Sequence, residues 1–247
     1  MSKRVQRKKK SPALALRPFW FAICVIAIAA ALGGYYAATW PGFFPKRIVV
    51  SGNRTVPSQE IAQRAHIAAD ANVWLLNTGA ARRRIEAIPY INEAWIHRSL
   101  PANVRIDVTE RSPYAVLESS SQTVLIDRDL RVLQQLDRSV TLPKFIVPAA
   151  NVPAEGAFIK AGAVQRLRDD YDVLTQAHVI VRSLSYDKFG DLLATMPTGV
   201  RLLLGDDTDL QKKAALIPPI LSQVAAGGRR IAAVDLRAPK TPVVEYR

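Results

Sequence analysis

Cysteine is almost absent from this sequence: Cys24 is the only one in 247 residues. A lone thiol closes no intramolecular disulfide and builds no cysteine metal site. Any globular part must therefore rest on its own apolar core, for which about 200 residues are enough. Histidine is scarce too. His66, His97 and His178 fall on a helix, a strand and a helix–strand junction, too scattered in sequence to suggest a site. No H-E-x-x-H, G-x-S-x-G, S-x-x-K or glycine-rich phosphate loop occurs. Asp206-Asp207-Thr208-Asp209 lacks the glycine and distant glutamate of a calcium loop, so Asp206 or Thr208 is read as a helix cap. Asp169-Asp170 lies in a helical run and reads as solvated. The sequence points to no enzyme, no metal and no cofactor.

Acidic residues are missing from residues 1–17, which hold Lys3, Arg4, Arg7, Lys8, Lys9, Lys10 and Arg17. That tail carries more than half of the net charge of +13. The rest is nearly balanced, which argues against a nucleic-acid-binding domain. A basic tail ahead of an apolar segment is better explained by membrane topology and by attraction to anionic headgroups.

Charge of either sign is then absent from Pro18 to Pro45. Phe19–Ala38 is the apolar heart, and twenty residues of helix span roughly 30 Å, the thickness of a bilayer core. Phe19, Trp20 and Phe21 stand at one end and Tyr35, Tyr36 and Trp40 at the other, as interfacial belts do. Signal-peptide cores run about 7–15 residues, so a retained helix over 18–40 is preferred to a cleaved leader. The basic tail places the N-terminus in the cytoplasm and all that follows outside it.

Residues 44–112 read as β-α-α-β-β. A strand through Ile48 and Val50 ends at Gly52-Asn53. A helix follows Pro57, with Ser58 as its cap and Ile61 and Ala65 on one face. Asn77 caps a second helix through Ala81, Ile85 and Ile88, halted at Pro89. Arg82, Arg83 and Arg84 project from it as a solvated face. Ile91–Arg98 and Val104–Glu110 are strands, with Val104, Ile106 and Val108 turned inward by the two-residue period.

Residues 113–247 read as a β-rich α+β unit. Two strands flank the turn Asp127-Arg128-Asp129, and a short one lies within 142–148. A helix is predicted over Gly156–Gln176, then strands at 179–186, 192–196 and 200–204. The next helix passes through Leu210, Ala214, Ile217 and Leu221, with Pro218-Pro219 expected to kink or shorten it. Strands over 231–237 and 241–247 close the chain. The last is predicted to lie at a sheet edge, where its free N–H and C=O groups template a partner strand. Pro242 is tolerated at such an edge. Val243 and Glu245 face one way, Val244 and Tyr246 the other. Arg237 and Tyr246 are residue types that anchor interfaces. The ordinary alternative is a solvated edge with Arg237 as a surface charge.

The β-α-α-β-β order, the Val50-Ser-Gly-Asn53 turn, the run Arg84-Ile-Glu-Ala-Ile-Pro-Tyr90 and the segment Val104–Pro113 resemble a POTRA domain. With Leu125-Ile-Asp127, Leu142-Pro143, Gly199–Gly205 and Val234-Asp-Leu-Arg237 following in order, nearly the whole chain resembles the bacterial cell-division family FtsQ/DivIB. The resemblance implies a single-pass inner-membrane protein with periplasmic POTRA and β domains, a non-catalytic scaffold of the division septum. It also implies FtsB and FtsL as partners, docked at Arg237, Thr241, Val243, Val244, Glu245 and Tyr246, and other division proteins met by the POTRA domain. A POTRA-bearing component of protein export or outer-membrane assembly is the alternative.

Overall fold

The computed structural model describes residues 17–99, 101–136 and 140–247. Helix α1 (Arg17–Thr39) leads into a 3-10 turn at Pro41–Phe43. Within it, Phe19–Thr39 is long and apolar enough to cross a membrane, and none of it is buried within the protein. Compactness then groups the chain into two units. One takes in the described residues up to Ser51 with Ser58–Arg82 and Trp95–Asp107. The other is Gly52–Pro57, Arg83–Ala94 and Val108–Arg247.

Strand β1 (Arg47–Ser51), helices α2 (Ser58–Ala65) and α3 (Thr78–Glu86), and strands β2 (Ile91–Ser99) and β3 (Asn103–Glu110) follow in the order β-α-α-β-β. They form a three-stranded sheet of order β1-β3-β2, with β1 parallel to β3. The alternation predicted for β3 holds: Val104 and Ile106 are fully buried and Val108 nearly so. Asn77 caps α3 by accepting a hydrogen bond from Ala80 N at 2.9 Å. The helix ends at Glu86, earlier than Pro89 requires, and Ile88 N turns back to Ile85 O at 3.0 Å. The sharp turn after β1 needs glycine. Gly52 has φ +89°, and a Cβ there would lie 2.0 Å from Val108 O. The turn is held by Glu110, whose carboxylate accepts from Arg54, Thr55 and Val56 N at 2.8–2.9 Å.

The larger unit is built on a nine-stranded sheet. Its strands are β4 (Ala115–Glu118), β5 (Thr123–Ile126), β6 (Val132–Gln135), β7 (Lys144–Ile146), β8 (Ser183–Tyr186), β9 (Leu192–Thr195), β10 (Arg201–Gly205), β11 (Ile231–Asp235) and β12 (Val243–Tyr246). Their order is β12-β11-β10-β9-β8-β7-β4-β5-β6. The pairs β4–β7, β7–β8 and β10–β11 are parallel. Helices α4 (Gly162–Gln176) and α5 (Leu210–Ala226) supply Val164, Leu167, Leu174, Ala214 and Ile217 to the same core as Leu117, Phe145, Leu184 and Leu202. Each buried leucine contributes roughly 1.5–3 kcal/mol. Tyr114, Phe145 and Tyr171 meet edge to face at 5.5–6.2 Å between ring centroids.

Several expectations are corrected. β4 was not predicted, yet it sits inside the sheet between β7 and β5. α4 begins at Gly162, because Phe158 pairs across to Arg131 as an isolated bridge and Ile159 N bonds Leu130 O at 2.9 Å. Neither Asp206 nor Thr208 caps α5. The residue before its first turn is Asp209, in the left-handed region with no side-chain cap. Asp206 instead accepts from Lys213 Nζ at 3.0 Å, and that buried ammonium also donates to Leu204 O and Asp206 O. α5 continues through Pro218 and Pro219 for two further turns to Ala226. Asp170 is not solvated. It is buried and accepts a hydrogen bond from Tyr186 Oη at 2.5 Å.

Candidate partner-binding edge

β12 terminates the nine-stranded sheet. It pairs antiparallel with β11, Val243 opposite Asp235, Val244 opposite Val234 and Glu245 opposite Ala233, with a bulge in β11 before Ile231 meets Tyr246. No strand covers its other side among the described residues. Arg247 N donates inward to Arg230 O at 2.9 Å. By the two-residue alternation, the N–H groups of Glu245 and Val243 also face β11. Those of Val244 and Tyr246 face the open side.

The side chains divide as predicted. Val244 and Tyr246 line an open groove of about 500 Å³ with Ile220, Val224 and Arg229 of the α5 region. The Arg229 guanidinium lies over the Tyr246 ring at 5.2 Å. Glu245 lies on the opposite face, 3.7 Å from Arg201. Val243 and Tyr246 are about half exposed, a large apolar surface for an edge strand.

The structure brings Val243, Val244, Glu245 and Tyr246 together but leaves Arg237 and Thr241 apart from that strand. Arg237 follows β11 and is held by Asp235, Nη2 to Oδ2 at 2.6 Å, its stem over Gly205. The hydrogen bond from Arg237 holds the Asp235 carboxyl below its usual range, against a smaller opposing effect of burial. Thr241 lies in the exposed connection, its N bonded to Ala238 O. The structure places Arg229 and α5 on the groove. Arg201, Arg229, Arg230, Arg237, Lys240 and Arg247 are all exposed around this end of the sheet. Asp235 and Glu245 lie among them and are engaged with arginine, and Asp187 and Asp191 also act on Arg237.

Among the described residues no group of three His, Cys, Asp or Glu is placed to hold a metal ion.

Comparison with known proteins agrees with this architecture. The family described as "POTRA domain, FtsQ-type" matches residues 43–111. The chain is thus an α+β protein in which an N-terminal apolar helix precedes a POTRA domain and a β-rich C-terminal domain. A second family, "Cell division protein FtsQ/DivIB, C-terminal", matches residues 115–237, which leaves β12 just beyond the matched stretch. The chain belongs to the FtsQ/DivIB family of cell division proteins. It is 22% identical to Cell division protein DivIB of Clostridium tetani, over 70% of this chain and 68% of that protein. It is 24% identical to Cell division protein FtsQ of Agrobacterium fabrum, over 79% and 59%. It is also 24% identical to that of Mycolicibacterium smegmatis, over 93% and 65%. The matches thus span about three-fifths to two-thirds of these relatives' own lengths.

Proposed function

We propose that the chain is a non-catalytic scaffold of the division machinery, held in the inner membrane by α1 with its basic tail in the cytoplasm and its folded units in the periplasm. Its β-rich domain, over 113–247, captures FtsB, paired with FtsL, by strand addition to β12. Its POTRA domain, over 44–112, meets other division proteins at the septum.

The observation that carries this reading is the uncovered edge of β12, in a member of a cell-division family. Outward N–H and C=O groups at Val244 and Tyr246 supply the ladder, and the groove beside α5 supplies a pocket for a partner side chain. The basic rim favours an acidic partner and rejects a basic one. Confinement to a membrane raises the effective concentration of scaffold and partner for each other.

Val244→Asp and Tyr246→Glu place a carboxylate in the groove while leaving β11–β12 pairing intact. Both variants are expected to lose co-purification with FtsB at unchanged thermal stability. Retained binding would overturn the edge-strand reading. Depletion is expected to give filamentous cells with segregated nucleoids and no septa.

A further inference from the structure

The connection between α2 and α3 reaches back to the end of α1, within one compact unit. Asn72 Nδ2 donates to Ala38 O at 3.0 Å, with Ala37 O at 3.5 Å. Val73 N donates to Phe43 O at 3.0 Å, and its side chain is fully buried. A helix end leaves its last carbonyls without partners, and here an asparagine from a distant loop supplies one. Asn72 also closes a tight turn over 72–75. Its Oδ1 accepts from Trp74 N at 2.9 Å, and its carbonyl from Leu75 N at 3.0 Å.

That turn carries apolar surface for which the fold has no use. Leu75 is 70% exposed and Trp74 40%. Arg98 reaches over both the ring and the backbone of Trp74, 5.8 Å from the ring centroid and 2.9 Å from Trp74 O. Depth follows from the reading of α1 as a membrane span, on which this inference rests. The 21 residues of Phe19–Thr39 match a hydrocarbon core of about 30 Å, so Ala38 lies at its boundary. Interfacial layers are some 5–8 Å thick on each side. The ends of such a turn lie within about 7 Å of each other. Asn72 touches Ala38 O, so Trp74 and Leu75 are within reach of the headgroup layer.

We propose that the Asn72–Leu75 turn is a second membrane contact, with Trp74 and Leu75 seated at the boundary between headgroups and acyl chains beside α1. The occupant is the phospholipid leaflet itself. Trp74 is the residue type that prefers this depth, and Arg98 offers guanidinium donors to lipid phosphate. The contact fixes the tilt of the membrane-proximal unit, which a single flexible tether does not.

The test uses the full chain in phosphatidylethanolamine vesicles containing phosphatidylglycerol, in a Cys24→Ser background. Spin labels are introduced separately through Ile28→Cys, Leu75→Cys and Phe189→Cys, and their accessibility to oxygen and to a water-soluble nickel chelate is compared. The label at 28 is expected in hydrocarbon, that at 75 at the interface and that at 189 in water. Adding Trp74→Ser is expected to shift the label at 75 toward water by about tenfold in the immersed-to-free ratio. Val73 still holds the loop in that variant. A label at 75 that matches 189 while 28 reports hydrocarbon would overturn the inference and leave the span intact. A label at 28 in water would refute the span, and this inference with it. Interface signal lost on dilution with lipid would assign the turn to a second copy of the chain and overturn the leaflet as its occupant.

Discussion

Arg131 shows how much one side chain organises. It is 7% exposed, and its guanidinium donates to Gly156 O at 2.8 Å, Glu86 O at 2.9 Å, Ile91 O at 3.1 Å and Ile88 O at 3.4 Å. It thereby satisfies the last carbonyl of α3 and the first of β2. Beside it Arg111 is paired with Asp127 at 2.5 Å and Asp129 at 2.9 Å, and the Phe158 ring lies under both guanidiniums. Arg131→Met is expected to cost about 3 kcal/mol in chemical denaturation, because it strands several buried carbonyls. Arg131→Lys is expected to recover little of that, since an ammonium lacks the planar fork. The sequence marked the Asp127–Asp129 turn but gave no sign of either arginine's role, because Arg131's acceptors are backbone carbonyls mostly some 40 positions away and Arg111's are carboxylates 16 and 18 positions away.

Asp170 is the second residue-scale case. Burial pushes its carboxyl up, and the hydrogen bond from Tyr186 opposes this only in part. A folded-state value above the unfolded one means that ionisation disfavours the fold. The stabilising contribution is present below the unfolded value and lost as pH rises through the folded one. Asp170→Asn is therefore expected to stabilise the protein at pH 7 by about 1 kcal/mol. The gain should shrink toward zero in acid, as followed by thermal unfolding across pH. Sequence pattern misassigned this residue because adjacent aspartates on a helix occupy different faces. Only Asp169 faces solvent.

At the scale of elements, legibility follows periodicity. β3 alternates cleanly and was located to within a residue, and the facing of Val244 and Tyr246 on β12 followed from the same rule. β4 was not legible. Its burial is continuous from Ala115 to Leu117, as in strands covered on both faces, and four residues give too little pattern to separate it from a loop. α5 is not shortened by its prolines. Two prolines in the interior of a helix remove N–H donors, yet the apolar face through Leu210, Ala214 and Ile217 keeps the segment packed. β12 offers a paired test. Val244→Pro removes an N–H that faces the open side, so it is expected to block partner capture while the circular dichroism spectrum and melting temperature stay near the parent values. Val243→Pro removes one that faces β11 and is expected to lower the melting temperature as well. Equal effects of the two on stability would contradict the assigned strand orientation.

For the whole molecule, the basic excess acquires two meanings by location. Seven charges in 1–17 precede the span, and a cluster of exposed arginines surrounds the far end of the nine-stranded sheet. The first was legible as a topology signal. The second was not, because Arg201, Arg229, Arg237 and Arg247 are distant in sequence and meet only through the order β12-β11-β10. Of the predicted contact residues, those on β12 share one edge strand but divide between its two faces, and Arg237 is held by Asp235. The proposed function requires this edge to take up a partner strand. The direct measurement is photo-cross-linking in dividing cells, with a photoreactive residue at position 246 and, as control, at the exposed turn residue 189. Position 246 is expected to trap an extended, acidic segment of FtsB, and position 189 is not. Absence of that product at 246, or equal yield from both positions, would contradict the proposed function.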